Sequence, residues 1–151
     1  MDGTLTEPRQ PMDFEFADWF KSWAAKHDVY LISGSDLFKI REQIPARVLN
    51  RCKGVFSCMG NEFWVDDKKI YGNELEIPEE VESFLESKIA NSHFEYRKPP
   101  HFEYRTGMLN FSVVGRGASR ALRRYYREWD EMKRERIKIA KEFNKLFNKK
   151  I

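Results

Sequence analysis

The sequence predicts an α/β fold, and three observations support that class. Short apolar runs typical of buried strands alternate with stretches whose apolar residues recur every three to four positions, as in helices. After residue 72 the pattern changes to one long helix, two adjacent strands and two further helices. The chain has 151 residues, which is enough for one ordinary domain or for parts of two small ones.

The first helix is predicted over residues 14–27, with Asp13 as its N-cap. Four aromatic residues in this helix recur at three- and four-residue steps: Phe16, Trp19, Phe20 and Trp23. Such spacing is typical of one core-facing stripe, so we expect all four rings to lie in the core rather than to form a stacking surface.

A short buried strand is predicted at residues 28–33. It ends in the turn Ser33-Gly34-Ser35-Asp36, which starts a helix over residues 36–44 that stops before Pro45. At such a turn a hydroxyl and helix-start N–H groups can bind phosphate, and Ser35 supplies the hydroxyl. The alternative is that Ser35 is an ordinary N-cap.

The next elements predict a hairpin. Residues 54–57 have the composition of a strand, and a turn is predicted at 59–61. Two further strands, at 62–65 and 69–71, flank Asp66-Asp67-Lys68. Antiparallel pairing of these two strands follows from so short a connection.

The second half has a different character. Its predicted elements are a helix at 79–90, strands at 102–105 and 108–114, and helices at 119–127 and 131–147. The two strands are separated only by Thr106-Gly107, which predicts an antiparallel pair. We therefore place a boundary near residue 74, between an α/β piece at residues 1–74 and an α+β piece at residues 75–151.

The composition argues against several classes of protein. The chain is 41% hydrophobic and 34% charged, typical of a globular rather than a disordered protein. No apolar run approaches the ~20 residues of a membrane span, and no signal-peptide pattern is present. The two cysteines, Cys52 and Cys58, lack the spacing of a metal site, so a cytoplasmic location with reduced thiols is expected.

Charge is distributed unevenly, although the net charge is only +3. From Ser119 onward basic residues outnumber acidic ones by more than two to one, which marks either an anionic partner or a solvated helix face. Nucleic-acid binding by these helices is a weak alternative, because acidic residues are interspersed: Glu128, Asp130, Glu131, Glu135 and Glu142. We expect neither nucleic acid nor membrane as a partner.

Two groups of residues carry chemical information. Asp2-Gly3-Thr4 places a carboxylate on a glycine-bearing loop, where it can move protons while backbone amides approach an anion. The alternative is an Asx turn at the start of the chain. Arg105 and Arg116 lie at the ends of adjacent predicted strands, with Arg123 in the following helix, and three converging guanidinium groups would hold a dianion. Ordinary surface arginines are the alternative.

The motifs of this chain, and their order along it, resemble those of eukaryotic-type phosphomannomutases, members of the haloacid dehalogenase superfamily. They are Asp2-Gly-Thr-Leu-Thr-Glu-Pro-Arg9, Gly34-Ser35-Asp36 and Arg105-Thr-Gly-Met-Leu-Asn-Phe-Ser-Val-Val-Gly-Arg116, with Arg123 beyond. The resemblance implies a partial Rossmann-like core in residues 1–74 and an inserted α+β cap with antiparallel strands in residues 75–151. It also implies interconversion of mannose 6-phosphate and mannose 1-phosphate through an aspartyl-phosphate, with Mg²⁺ bound.

The resemblance implies roles for the matched core residues. Asp2 corresponds to the second aspartate of an Asp-x-Asp-Gly-Thr motif, which is the general acid/base, and its backbone carbonyl to a Mg²⁺ ligand. Met1 falls on the x, so the nucleophilic aspartate is expected one position before this chain begins. Ser35, with Gly34 beside it, corresponds to the phosphate-binding hydroxyl, and Arg9 to a core arginine that contacts substrate.

The resemblance also implies roles in the cap. Arg105, Arg116 and Arg123 correspond to arginines that hold the distal phosphate, while Met108 and Asn110 are expected to line the sugar. The implied partner is a hexose phosphate. Because caps of this family pair with each other, a homodimer through the cap is also expected.

Two parts of the family pattern have no counterpart in the sequence, namely a later core lysine and a Gly-Asp metal motif. We expect Mg²⁺ to bind weakly, because one carboxylate makes a poor magnesium site. We also expect no mutase turnover by the chain alone, since even a ~1 Å misplacement of a reacting group can cost ~10²-fold in rate. A sugar-phosphate phosphatase, for which Arg123 would matter less, and a non-catalytic sugar-phosphate-binding or dimerisation remnant are the alternatives.

Overall fold

The computed structural model describes residues 1–7 and 10–147. The chain divides into two units. The first unit contains Met1–Leu75 together with the short segment Arg105–Met108, and the second contains Glu76–Tyr104 and the residues from Leu109 on. The predicted α/β class with antiparallel strands is confirmed.

The first unit combines three helices with a four-stranded sheet. Its elements are α1 (Phe14–Ala24), β1 (Tyr30–Ile32), α2 (Leu37–Gln43), α3 (Ala46–Leu49), β2 (Gly54–Ser57), a 3₁₀ turn (Cys58–Gly60), β3 (Glu62–Val65) and β4 (Lys68–Gly72). The strand order is β1-β2-β3-β4. Strands β1 and β2 are parallel, whereas β2–β3 and β3–β4 are antiparallel. The carboxyl ends of these two adjacent strands, β1 and β2, therefore lie side by side at the same end of the sheet.

The predicted elements of the first unit are present, and α3 is an additional one. Pro45 was expected only to end a helix, but it also stands at the N-cap of α3. A proline at a helix start costs the helix no hydrogen bond, because the first N–H groups of a helix have no partner within it. Asp13 caps α1 as expected, since its carboxylate accepts from the Phe16 N–H at 2.8 Å.

The core of the first unit lies between the helices and one face of the sheet. Its buried residues come from all three helices and from β1 and β2: Ala17, Phe20, Ala24, Leu31, Leu37, Ile40, Val48 and Val55, among others. Strand β1 alternates, with Leu31 buried between two exposed neighbours. Burial of Leu31 and Val55 fixes the position of both strand ends, and hence of the turn that follows β1.

The prediction that all four aromatic residues of α1 face the core is wrong for two of them. Phe20 is buried and Phe16 packs at the edge of the core, but Trp19 is 58% exposed and Trp23 is 40% exposed. The core-facing side is formed instead by Ala17, Phe20 and Ala24. The buried side of the helix is displaced toward Ala17 and Ala24, so the two tryptophans lie beside the core and stack on each other.

The second unit is built from three helices and a two-stranded sheet. Its elements are α4 (Glu79–Ala90), β5 (Phe102–Arg105), β6 (Met108–Phe111), α5 (Arg120–Lys133) and α6 (Glu135–Phe147), but Arg105 and Met108, at the ends of β5 and β6, are grouped with the first unit. One cluster of buried residues surrounds Phe94 and Tyr126, and another joins Val81 and Leu85 of α4 to Phe147 of α6. None of the helices in the described part of the chain has both the length and the apolar character needed to cross a membrane.

Two predicted boundaries in the second unit are wrong. Strand β6 ends at Phe111 rather than at residue 114. Helix α5 continues to Lys133, and the break before α6 falls at Arg134, whose φ of 57° is left-handed. Asp130 compensates for the break, because its carboxylate accepts from the backbone N–H of Arg136 at 2.8 Å and from the Arg136 Nε at 2.7 Å.

Candidate active site

The N-terminal loop presents the carboxylate of Asp2 to solvent. Backbone hydrogen bonds close the loop, from the Gly3 N–H to the Thr6 carbonyl at 2.8 Å and from the Leu5 N–H to the Met1 carbonyl at 2.9 Å. Asp2 is exposed, and its Oδ1 accepts from Nε2 of Gln43 at 3.0 Å. The carboxylate is thus held by one neutral donor and remains open to proton exchange.

Gln43, which sequence reasoning missed, ties this loop to α2. Its side chain also reaches the Gln10 carbonyl at 3.3 Å, and its own carbonyl accepts from the Met12 N–H at 2.7 Å. The available signal was a polar residue on the apolar stripe that begins with Leu37 and Ile40. Arg9 lies outside the described residues, so its role stays a prediction.

A metal site would require several hard oxygen ligands, because Mg²⁺ prefers an octahedral set that includes carboxylates. Within residues 1–7 and 10–147, no group of three or more His, Cys, Asp or Glu side chains is arranged to hold a metal ion. Among these residues Asp2 is therefore not part of a group of that kind.

The turn after β1 is fixed through three successive carbonyl groups. The Met59 N–H donates to the Ser33 carbonyl at 2.9 Å, and the Cys58 N–H donates to the Ser35 carbonyl at 2.9 Å. Between these two carbonyls, the Gly34 carbonyl accepts from Arg105 Nη1 at 2.5 Å. In a trans peptide the C=O and the following N–H point in opposite directions. The amide N–H groups of residues 34, 35 and 36 therefore point away from these donors.

The two backbone donors come from a strained segment after β2. Cys58 and Met59 have φ values of 49° and 61°, which is unusual for residues other than glycine. Such conformations cost of order 1–3 kcal/mol each and persist only where the surroundings enforce them. Here they aim both N–H groups at the turn that contains Ser35, whereas the sequence predicted only an ordinary turn.

Asp36, rather than Ser35, caps α2. Its carboxylate accepts from the Lys39 N–H at 2.8 Å, and its backbone is extended as expected for an N-cap. Ser35 is half-buried one position earlier, and its N–H donates to the Ser33 Oγ at 3.1 Å. Ser35 is therefore not the N-cap of α2, and its hydroxyl remains a candidate for binding phosphate.

Arg105 belongs to the first unit and contacts the same turn. Its side chain is only 10% exposed, and its Nε lies 3.8 Å from Asp36 Oδ2, in addition to the bond from Nη1 to Gly34. Met108, also assigned to the first unit, is half-buried at the start of β6. The structure thus groups Arg105 with Gly34 and Ser35.

Arg116 and Arg123 come together in the second unit. Arg123 Nη2 donates to the Arg116 carbonyl at 2.6 Å, and the Arg116 guanidinium forms an ion pair with Glu103. Asn110 Nδ2 lies 3.5 Å from the same carboxylate. Arg116 and Asn110 therefore share Glu103 as a neighbour, which the sequence did not single out, and Arg123 joins them through the Arg116 carbonyl.

Gly115 determines where Arg116 lies. With a φ of 88°, Gly115 packs so closely that an added Cβ would come within 1.9 Å of the Lys98 carbonyl oxygen. The Arg116 N–H then donates to the Pro100 carbonyl at 2.7 Å. Only glycine combines this conformation with so close an approach of two backbone segments.

Comparisons with known proteins bear on this arrangement. The sequence profile of the eukaryotic phosphomannomutases matches residues 16–151. A phosphomannomutase of Arabidopsis thaliana is 30% identical over 153 residues, which cover 97% of this chain and 62% of the relative. A phosphomannomutase of Spinacia oleracea is 31% identical over 144 residues, covering 90% and 57%. Phosphomannomutase 1 of Dictyostelium discoideum is 28% identical over 137 residues, covering 86% and 55%.

These matches extend over both units, because the profile begins within α1 and continues to the last residue. The chain spans about six tenths of the length of these curated relatives. By the extent of the profile match and by its likeness to these relatives, the chain belongs to the family of eukaryotic phosphomannomutases.

Proposed function

We propose that this chain forms the sugar-phosphate-binding part of a phosphomannomutase, which interconverts mannose 6-phosphate and mannose 1-phosphate through an aspartyl-phosphate. The observation that carries the proposal is the turn at residues 33–36, where the amide N–H groups of Gly34 and Asp36 point away from the donors that hold the carbonyls and the Ser35 hydroxyl is not used as a helix cap, while the Ser35 N–H donates to the Ser33 Oγ. Successive N–H groups form a concavity that suits phosphate oxygens. The family match supports mannose phosphate as the ligand.

In this proposal Asp2 is the general acid/base. Its carboxylate is exposed and is oriented by Gln43, so it can take a proton from a sugar hydroxyl or return one. The Ser35 hydroxyl and the amides of Gly34 and Asp36 hold one phosphate. Arg9 belongs to the same core set by resemblance.

The second unit contributes the proposed arginine ligands of phosphate. Arg116 and Arg123 hold a second phosphate, since guanidinium groups bind phosphate in bidentate fashion and stay charged at any working pH. Met108 and Asn110 line the sugar. The first unit corresponds in this proposal to the core, with a boundary near residue 74, and the second to a cap through which two chains pair.

We expect no mutase turnover from this chain by itself. The reaction requires one carboxylate to attack phosphorus and another to move protons, and Asp2 corresponds only to the second. A single carboxylate cannot occupy both positions, and misplacement by ~1 Å already costs ~10²-fold in rate. Binding of mannose 6-phosphate without conversion is the expected behaviour.

Titration of the ¹⁵N-labelled chain with mannose 6-phosphate tests the proposal. We expect the amide signals of residues 34–36 to shift, and Ser35→Ala to weaken the affinity about tenfold, because one hydrogen bond to a charged phosphate is lost. Formation of mannose 1-phosphate by the same sample should stay at the level of a blank.

Ser22→Ala is the matched control. The Ser22 hydroxyl donates to the Asp18 carbonyl at 2.9 Å on the exposed side of α1, so this variant should bind like the wild type. A wild-type chain that binds no mannose 6-phosphate, or an Ser35→Ala variant of unchanged affinity, contradicts the proposal. Release of inorganic phosphate would favour the phosphatase alternative.

A further inference from the structure

Glu62, the first residue of β3, has a buried carboxylate to which the proposed function assigns no role. The residue is 7% exposed. Oε2 accepts from the Ser57 hydroxyl at 2.7 Å and from Trp64 Nε1 at 3.1 Å, while Oε1 accepts from the Thr106 hydroxyl at 2.6 Å. Lys69 Nζ lies 3.9 Å from Oε1. A buried charge is tolerated only when it is hydrogen-bonded in this way.

Residues 105–108, which belong to the first unit, are held at two successive points of that unit. Glu62 accepts from Thr106, and Asn61 Nδ2 donates to the Gly107 carbonyl at 3.2 Å. A Cβ added to Gly107 would come within 2.6 Å of the Asn61 side chain. The segment therefore lies directly against the start of β3, with little freedom to shift.

Arg105 connects this segment to the turn that contains Ser35. Its Nη1 donates to the Gly34 carbonyl at 2.5 Å. That carbonyl belongs to the same peptide plane as the Ser35 N–H, and the two point in opposite directions. Whatever fixes Arg105 consequently helps to hold the peptide between Gly34 and Ser35, and with it the turn that carries the Ser35 hydroxyl.

We propose that Glu62 is a positioning residue for phosphate binding, which holds Arg105 on the Gly34 carbonyl through Thr106 and thereby holds the turn that presents the Ser35 hydroxyl to the phosphate. The inference rests on the proposed function and extends it to a residue that does not itself touch the ligand. Its effect passes from Glu62 to Thr106, then to Arg105 and to the turn. A carboxylate suits this position because it accepts from three donors at once.

Two substitutions of Thr106 test the proposal. Thr106→Val preserves the shape of the side chain but removes the hydroxyl that donates to Glu62, whereas Thr106→Ser keeps it. We expect the valine variant to bind mannose 6-phosphate about tenfold more weakly, because a hydrogen bond to a charged group is lost, and the serine variant to bind like the wild type. In the ligand-free valine variant the amide signals of Gly34 and Ser35 should shift.

Glu62→Gln provides the second arm of the experiment. It should weaken binding to a similar degree, and the double variant with Thr106→Val should bind no more weakly than either single variant, since both substitutions break one shared contact. Tyr71→Phe is the matched control. The Tyr71 hydroxyl donates to the Gly60 carbonyl at 2.9 Å in the same unit but outside this series of contacts, so the variant should keep full affinity.

The outcomes separate the inference from the proposed function. If the wild type binds mannose 6-phosphate and Thr106→Val binds it equally well, the inference is overturned while the proposed function stands. An affinity that falls only in proportion to the unfolded fraction, measured by thermal unfolding, also overturns it. If the wild type does not bind, the proposed function fails and the inference fails with it.

Discussion

At the scale of single residues, Glu62 also determines how the first unit responds to acid. Burial by itself raises the pKa of this carboxyl group, but hydrogen bonds from Ser57, Thr106 and Trp64, with the charge of Lys69, outweigh burial and hold the pKa below its usual value. The folded chain therefore binds this proton less readily than the unfolded chain does. The carboxylate stabilises the fold above the usual pKa, and this stabilisation is lost as the pH falls through the folded pKa.

We expect the free energy of unfolding to decrease as the pH is lowered below ~4.3, the usual pKa of glutamate. Glu62→Gln should remove that part of the pH dependence and destabilise the chain near neutral pH by about 1–3 kcal/mol, since a charged acceptor of hydrogen bonds is lost. Urea unfolding followed over this pH range measures both effects. Glu74→Gln, at an exposed position, is the control, and a Glu62→Gln variant with the acid sensitivity of the wild type would refute the assignment.

The residues of the candidate site were only partly predictable. Ser35 and Asp36 are both good N-caps, so the sequence alone did not decide which one caps α2; the extended backbone of Asp36 and its bond to Lys39 decide it. Gln43 and Glu62 were missed for another reason. Their partners lie 41 and 44 residues away along the chain, and such contacts leave no local periodicity to detect.

At the scale of elements, the break between α5 and α6 offers a test of backbone strain. Arg134 occupies a left-handed conformation that glycine adopts without a steric penalty. We expect Arg134→Gly to raise the free energy of unfolding by about 0.5–1 kcal/mol, because relief of this strain exceeds the added entropy of the unfolded chain. Thermal and urea unfolding measure the change.

The neighbouring Lys133→Gly is the matched control, with the opposite expected sign. Lys133 is the last residue of α5, where a glycine lowers stability by up to about 1 kcal/mol relative to a good helix former. A loss of stability in both variants would mean that the Arg134 side chain outweighs its backbone strain.

Element types were easier to predict than element ends. Periodicity located α4 at residues 79–90, as observed, because its apolar side faces a buried cluster. The end of α5 was missed because neither glycine nor proline marks it, and the left-handed residue there is an arginine. The break is instead stabilised by a hydrogen bond from the Arg136 N–H to the Asp130 carboxylate, six residues earlier. This contact forms only once both helices are in place.

At the scale of the whole chain, alternation of helices and apolar runs was sufficient to predict an α/β class. The order β1-β2-β3-β4 also follows from simple rules, since a helical crossover gives a parallel pair and short loops give antiparallel pairs. What alternation cannot show is which face of the sheet the helices cover. The buried Leu31 and Val55 define that face. The rings of Phe56 in β2 and Phe63 in β3 stack on each other outside this core.

One edge of the sheet is expected to drive self-association of the chain. Among the described residues β1 pairs only with β2, so its other edge presents unpaired backbone groups. Ile32 is 64% exposed in that strand, and Tyr30 is also exposed. An apolar strand with an open edge is a template for pairing with another chain. Sedimentation velocity should therefore show association that increases with concentration.

Ile32→Lys tests this expectation, because a charge on an edge strand opposes strand-to-strand pairing. We expect the variant to lose the association beyond the proposed cap-paired dimer at concentrations where the wild type shows it, with little change in its unfolding midpoint, since Ile32 lies outside the buried core. Phe38→Lys is the control: Phe38 is similarly exposed but lies on α2, so the same gain of charge there should leave association unchanged. Equal effects of the two variants would indicate general apolar adhesion instead of edge pairing, and a wild type that shows no association beyond a dimer would contradict the prediction.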